Sequence, residues 1–198
     1  MKLKTYINAA LLSLLLASGV LKAEQPLGDY SFVRGVCYPG GWRNPQNIIE
    51  RDLGYAKRLN LNSTRVWLSY LDYERHGPEF LDQIRNYIRT AHRIGISTMP
   101  ILWNGNGLNP DILKPEFRPR GDAYVKAVVT ALKDEPGLLM WDLMNEPQTN
   151  PWYLKASPED KVKREAEITE FLRHNIKYVK QLDPVNALTV GYEKIDMA

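Results

Sequence analysis

The stretch GLLMWDLMNEP, residues 137–147, decides how this sequence is read. Met140, Trp141, Leu143 and Met144 form an apolar run between Gly137 and Pro147, the pattern of a buried strand. Asn145 and Glu146 follow at once, so a hydrophobic strand ends by presenting an amide and a carboxylate side by side. What that pair can do depends on which end of the fold it faces.

Outward from this run, strand-like and helix-like patterns alternate. Strands are predicted at 31–37 (SFVRGVC), 63–69 (STRVWLS), 96–103 (ISTMPILW), 137–144 (GLLMWDLM) and 187–191 (ALTVG). Helical spacing appears between them over 46–59, 78–94, 121–133 and from Ser157 onward. The last opens with Ser157-Pro158-Glu159-Asp160: a capping hydroxyl, a proline suited to the first turn, and acids where the helix dipole favours them. A βαβαβαβαβ order predicts a parallel sheet flanked by helices. Helix-to-strand connections are short, whereas strand-to-helix connections (38–45, 70–77, 104–120 and 148–157) are long and rich in aromatic, Gly, Asn and Pro residues. Long connections of this kind are usually functional, and parallel α/β folds place ligands at the C-terminal ends of their strands. Glu146 belongs to that face.

Two architectures suit the pattern, a (β/α)8 barrel and an open doubly wound sheet. The first strand-to-helix turn, Tyr38-Pro39-Gly40-Gly41-Trp42, is no dinucleotide fingerprint, which favours the barrel.

Several residues on the rich face carry chemistry. The Glu146 carboxyl, partly shielded by aromatic and apolar neighbours, can deliver a proton to a leaving group, and Asn145 can bind a substrate hydroxyl. Arg65 lies inside the apolar run 64–68 and requires a carboxylate partner, because an unpaired buried charge is costly. Tyr38, Trp42, Tyr70, Tyr73, Trp103 and Trp152 fall at strand ends or in the long connections, where flat rings beside polar groups suit the faces of sugars. Trp67 and Trp141 lie within strands and are expected in the core. His76, His92 and His174 lack metal-ligand spacing, and no serine sits in a nucleophile elbow. No cofactor or metal is expected.

The N-terminal segment 1–23 has the layout of a secretory signal peptide: Lys2 and Lys4, an apolar run from Ala9 to Val20, and a small residue at Ala23. Its core is too short for a comfortable membrane span, so a secreted or periplasmic protein without stable membrane insertion is expected. Its three lysines account for the basic balance. Of 26 Lys and Arg in the whole chain, 23 remain (26 − 3) against 23 acids. A near-neutral mature chain gives no reason to expect nucleic acid as a partner. Cys37 is the single cysteine, so stability rests on packing rather than on an intrachain disulfide.

With these residues in hand, the chain resembles the N-terminal half of a clan A glycoside hydrolase, similar to the cellulase-like and mannanase-like enzymes of family 5. The resemblance runs from about Phe32 to Tyr192 and rests on VRGVCYPGGW, TRVWLSY, GISTMPILW and, most specifically, LLMWDLMNEP. It implies a partial (β/α)8 barrel over residues 24–198, comprising about five strands and four helices. The implied activity is retaining cleavage of a β-linked polysaccharide or oligosaccharide, with Glu146 as general acid/base and Asn145 as a substrate-binding amide. Arg65 would support the nucleophile, and Tyr38, Trp42, Trp103, Asn104 and Trp152 would line the sugar site. Many members carry a histidine after the third strand, where this chain has Trp103-Asn104. The family nucleophile is a second Glu ending the seventh strand, and a complete barrel needs roughly 250 residues, so that Glu is expected beyond Ala198. Glu193 is the other acid near a strand end on this face. A non-catalytic carbohydrate-binding half barrel is the alternative, and an open sheet binding another small molecule is a third. Self-association of the partial barrel is expected.

Overall fold

The computed structural model describes residues 27–105 and 110–192. Residues 1–23, where a signal peptide is expected, and Glu193 lie outside the described residues. Five parallel strands form one sheet: β1 (Gly35–Cys37), β2 (Ser63–Trp67), β3 (Ser97–Asn104), β4 (Trp141–Asn145) and β5 (Leu188–Gly191). Between them run α1 (Gln46–Arg58), α2 (Tyr70–His76), α3 (Pro78–Ile94), α4 (Arg118–Leu132), α5 (Pro151–Leu154) and α6 (Pro158–Leu182).

Strand order separates the two expected architectures. Each strand pairs with its predecessor, giving β1-β2-β3-β4-β5 without reversal. A doubly wound sheet reverses order and thereby places helices on both faces. Sequential order with right-handed crossovers keeps every helix on one side, as in a barrel wall. Accordingly, α1 packs on α3, α3 on α4 and α4 on α6.

The long helices α1, α3, α4 and α6 form where periodicity places them. In α3, Phe80, Ile84, Tyr87, Ile88 and Ala91 make one fully buried stripe, Pro78 opens the first turn, and Gly95 closes it in the left-handed conformation. In α6 the Ser157 hydroxyl accepts the Asp160 N–H at 3.1 Å, as the cap in the sequence predicts. Trp141 is fully buried, and its indole N–H donates to Asp183 Oδ2 at 2.8 Å, tying the start of β4 to the end of α6.

Several boundaries differ from the sequence reading. Strand β1 is three residues long, and β4 starts at Trp141, residues 137–139 touching β3 through a single Thr98–Leu138 bridge. Helix α4 begins at Arg118. The stretch 70–77, expected as a loop, is mostly the helix α2, capped by Ser69, whose hydroxyl accepts the Asp72 N–H at 3.1 Å. The connection after β3 carries two short 3-10 turns, and the one after β4 carries α5. Among the described residues the long connections therefore carry short helices and turns.

Candidate active site

The C-terminal ends of β3, β4 and β5 stand level, with Asn104 opposite Asn145 and Asn145 opposite Gly191. They open onto a cleft of about 980 Å³ whose wall includes Arg65, Trp67, Tyr70, Asn104, Asn145 and Glu146. The expected face is thus the face that holds the cavity.

Side-chain direction at the end of β4 depends on an irregularity. In a regular strand, residues three apart point to opposite faces. Between Asp142 and Asn145 the register shifts, and the Met144 N–H turns back to Asp142 Oδ1 at 3.1 Å. This bulge brings both side chains to Arg65, which donates from Nε and Nη2 to Asp142 Oδ2 at 2.9 and 2.5 Å. Arg65 Nη2 also donates to Asn145 Oδ1 at 3.0 Å. With its oxygen so engaged, Asn145 turns its amide nitrogen outward, and one N–H reaches Asn104 Oδ1 at 3.3 Å. Arg65 and Asp142 come from alternate strands, the combination that fills one layer of a barrel interior. The carboxylate that Arg65 required is Asp142. Burial pushes its carboxyl up, against the opposing pull of the Arg65 charge, the Arg65 hydrogen bonds and the N–H groups of Met144 and Gly191.

Glu146 leaves the strand with φ at +47°, one of two non-glycine residues among those described with positive φ. This left-handed turn costs energy for a residue with a Cβ and is held from several sides. The Glu146 N–H donates to Gly191 O at 2.7 Å, and its carbonyl accepts from the N–H and hydroxyl of Thr149 at 3.2 and 3.0 Å. The Gly105 N–H donates to Asn145 O at 2.7 Å.

The aromatic residues divide differently from the expectation. Trp42 is buried against Phe80, its indole N–H bonded to Trp67 O at 2.9 Å. Trp103 is 2% exposed, wedged among Tyr70, Tyr124 and Phe171, with its N–H on Asn175. It lines the cleft, with most of its ring packed into the core. Tyr38 donates to Asp52 at 2.6 Å, towards α1, and Trp152 lies under the Arg164 guanidinium; among the described residues neither lines the cleft. Trp67, expected in the core, instead faces the cleft with the Arg65 guanidinium 4.8 Å from its ring centre. Strand alternation held the signal: Trp67 stands two positions after Arg65, so both take one side of β2. Two further carboxyls line the cleft, and both have partners. Glu74 accepts from Tyr70 and Arg120, and Asp111 pairs with Lys114. Burial first, then the hydrogen bond to Glu74, pushes the Tyr70 phenol up to about 12. Among the described residues no group of three or more His, Cys, Asp or Glu is placed to hold a metal ion.

No family model matches the chain. By sequence it is similar to the mannan endo-1,4-beta-mannosidase of Mytilus edulis, 28% identical over 183 residues that take in 74% of this chain and 49% of that protein. By structure it is similar to the endo-1,4-beta-mannanase of Rhizomucor miehei, with a TM-score of 0.69 and 17% identity over 87% of this chain and 60% of that one. The beta-mannanase of Mytilus edulis also matches, with a TM-score of 0.58 and 22% identity over 86% of this chain and 57% of that one. The likeness to the mannanase-type clan A glycoside hydrolases holds in sequence and in fold. The chain spans about half the length of the curated mannanase relative it matches (49%), and its five strands correspond to part of the clan A barrel.

Proposed function

We propose that this chain is part of a retaining glycoside hydrolase acting on β-linked mannan or a related β-glycan, with Glu146 as general acid/base. One observation carries the reading: Asn145 and Glu146 end β4 on the cleft, and the amide of Asn145 is oriented by Arg65. An amide with its oxygen occupied presents N–H donors to a sugar hydroxyl. The neighbouring carboxyl then protonates the glycosidic oxygen as the bond breaks and later takes a proton from the attacking water. Retention also needs a nucleophilic carboxylate about 5 Å from the acid. By the resemblance to family 5, the nucleophile is assigned to a Glu ending a later strand, outside the described residues. The mannan-type substrate rests on the names of the relatives. Export rests on the sequence of residues 1–23; among the described residues no helix is long and apolar enough to cross a membrane.

The test compares wild type with Glu146→Gln on manno-oligosaccharides and on aryl β-mannosides with activated leaving groups. Loss should be severe for the former and milder, in the glycosylation step, for the latter, with oligosaccharide binding retained. Equal loss on both would argue against acid/base catalysis. Binding by the wild type without turnover, in a protein that includes the later strands, would favour the second reading, a carbohydrate-binding module.

A further inference from the structure

We propose that Gly105 and Gly191 are positioning residues that clamp the Asn145–Glu146 pair from the two flanking strands. The proposal's catalytic consequence rests on the reading of Glu146 given above, while its geometric part does not.

A side chain at either position would meet occupied space. A Cβ at Gly105 would fall on the Glu146 carbonyl oxygen, 2.6 Å from its carbonyl carbon and 2.8 Å from Asn145 O. All three are backbone atoms, which cannot swing aside as a side-chain tip can. Only glycine allows the chain after β3 to come this close, and the approach has a use: it brings the Gly105 N–H onto Asn145 O at 2.7 Å. On the other flank, a Cβ at Gly191 would lie 2.6 Å from Arg65 Nη2 and 3.4 Å from Asp142 Oδ2. Arg65 Nη2 is the atom shared between Asp142 and Asn145, so any retreat disturbs the bonds to both. Gly191 also receives the Glu146 N–H on its carbonyl. The peptide between Asn145 and Glu146 is thus held through its carbonyl by Gly105 and through its N–H by Gly191. Two neighbours grip opposite ends of one peptide plane, which fixes the plane's rotation and with it the left-handed φ that aims the Glu146 side chain.

The two glycines act on different parts of the pair. Alanine at 105 presses on the peptide that carries Glu146. Alanine at 191 presses on Arg65 and, through it, on the Asn145 amide. A glycine with neither contact supplies the comparison: Gly54, on α1, meets only the Arg58 side chain at 3.8 Å.

The experiment uses the full chain with Gly105→Ala, Gly191→Ala and Gly54→Ala, read by NMR with labelled Glu and Arg. Gly105→Ala should shift the Glu146 carboxyl carbon signal and leave the Arg65 Nε–H signal in place. Gly191→Ala should move the Arg65 Nε–H signal, and Gly54→Ala should move neither. If Gly105→Ala fails to fold, Gly191→Ala still tests the clamp, because its clash falls on a side-chain tip. In a protein that turns over, Gly105→Ala should lower kcat on poor leaving groups by about a hundredfold. KM should change by less than about twofold. Unchanged Glu146 and Arg65 signals in folded variants would overturn the clamp. Shifted signals with full activity in Glu146→Gln would leave the clamp standing and overturn the acid/base reading.

Discussion

At the scale of single residues, Asp142 is the point where stability and the site meet. It is fully buried, whereas its partner Arg65 keeps about a quarter of its side chain exposed (23%). Asp142→Ala should destabilise the fold by about 3 kcal/mol, near the lower end for a broken buried pair because Arg65 can recover some hydration. Replacing both partners, Arg65→Met with Asp142→Leu, should restore most of that loss, since no charge is then left without its partner. Denaturant unfolding of the two single variants and the double variant checks this, and a double variant as unstable as the sum of the singles would contradict it. The need for such a carboxylate was legible in the sequence, because an arginine inside an apolar strand requires one. Its identity was legible in principle, since Asp142 is the acid within the apolar run of β4. The bulge was not. A spacing of three residues places Asp142 and Asn145 on opposite faces in any regular strand, and the register shift, with the Met144 N–H on the Asp142 carboxylate, brings them together.

At the scale of elements, the junction of β4 with α6 depends on pH. Asp183 is 2% exposed, and desolvation alone would raise its carboxyl. Hydrogen bonds from the Trp141 indole, the N–H and side-chain amide of Asn186 and the Val185 N–H outweigh that and hold it below the ordinary value of 3.8. A depressed carboxyl adds stability above its unfolded value and loses it as pH falls through its folded one. Asp183→Asn should therefore lower Tm clearly at neutral pH, by an amount equivalent to about 2 kcal/mol for hydrogen bonds to a charged acceptor. The gap from wild type should close as pH drops below 3.8, and a gap constant with pH would refute the assignment. Strands β2, β3 and β4 and the four long helices were legible because each buries apolar residues at a regular spacing or in a run. Helix α2 was not, since YLDYERH has no such pattern and leaves Leu71 57% exposed. Its signal was the Ser69–Asp72 cap, a polar cue easily taken for a turn. The aromatic residues misled for a related reason: position in a connection does not say whether a ring faces the cleft or turns away from it, as Tyr38 and Trp152 demonstrate.

At the scale of the whole molecule, burial is graded across the sheet. Every residue of β4 is buried, β5 is half-buried throughout, and all three residues of β1 are exposed. Among the described residues each outer strand has a single partner, and apolar Leu27 and Phe32 stand exposed before β1, as does Val36 within it. Amide exchange should accordingly be slowest in β3 and β4 and fastest in β1. Unpaired edges invite association, so sizing chromatography should show apparent mass rising with concentration. A constant monomer mass would count against that. The sequential strand order has one more consequence, for synthesis on the ribosome. Each strand, on emerging, finds its pairing partner already made, because that partner is always the strand before it. The sheet can grow unit by unit from the N-terminus, closing only the loop just translated, so the entropic cost of each step stays modest. The acid, however, lags its own strand. Glu146 is translated with β4, yet its N–H has no acceptor until Gly191 arrives with β5. Nascent chains stalled before and after β5 should differ in exchange at the Glu146 amide while the amides of β3 stay protected in both.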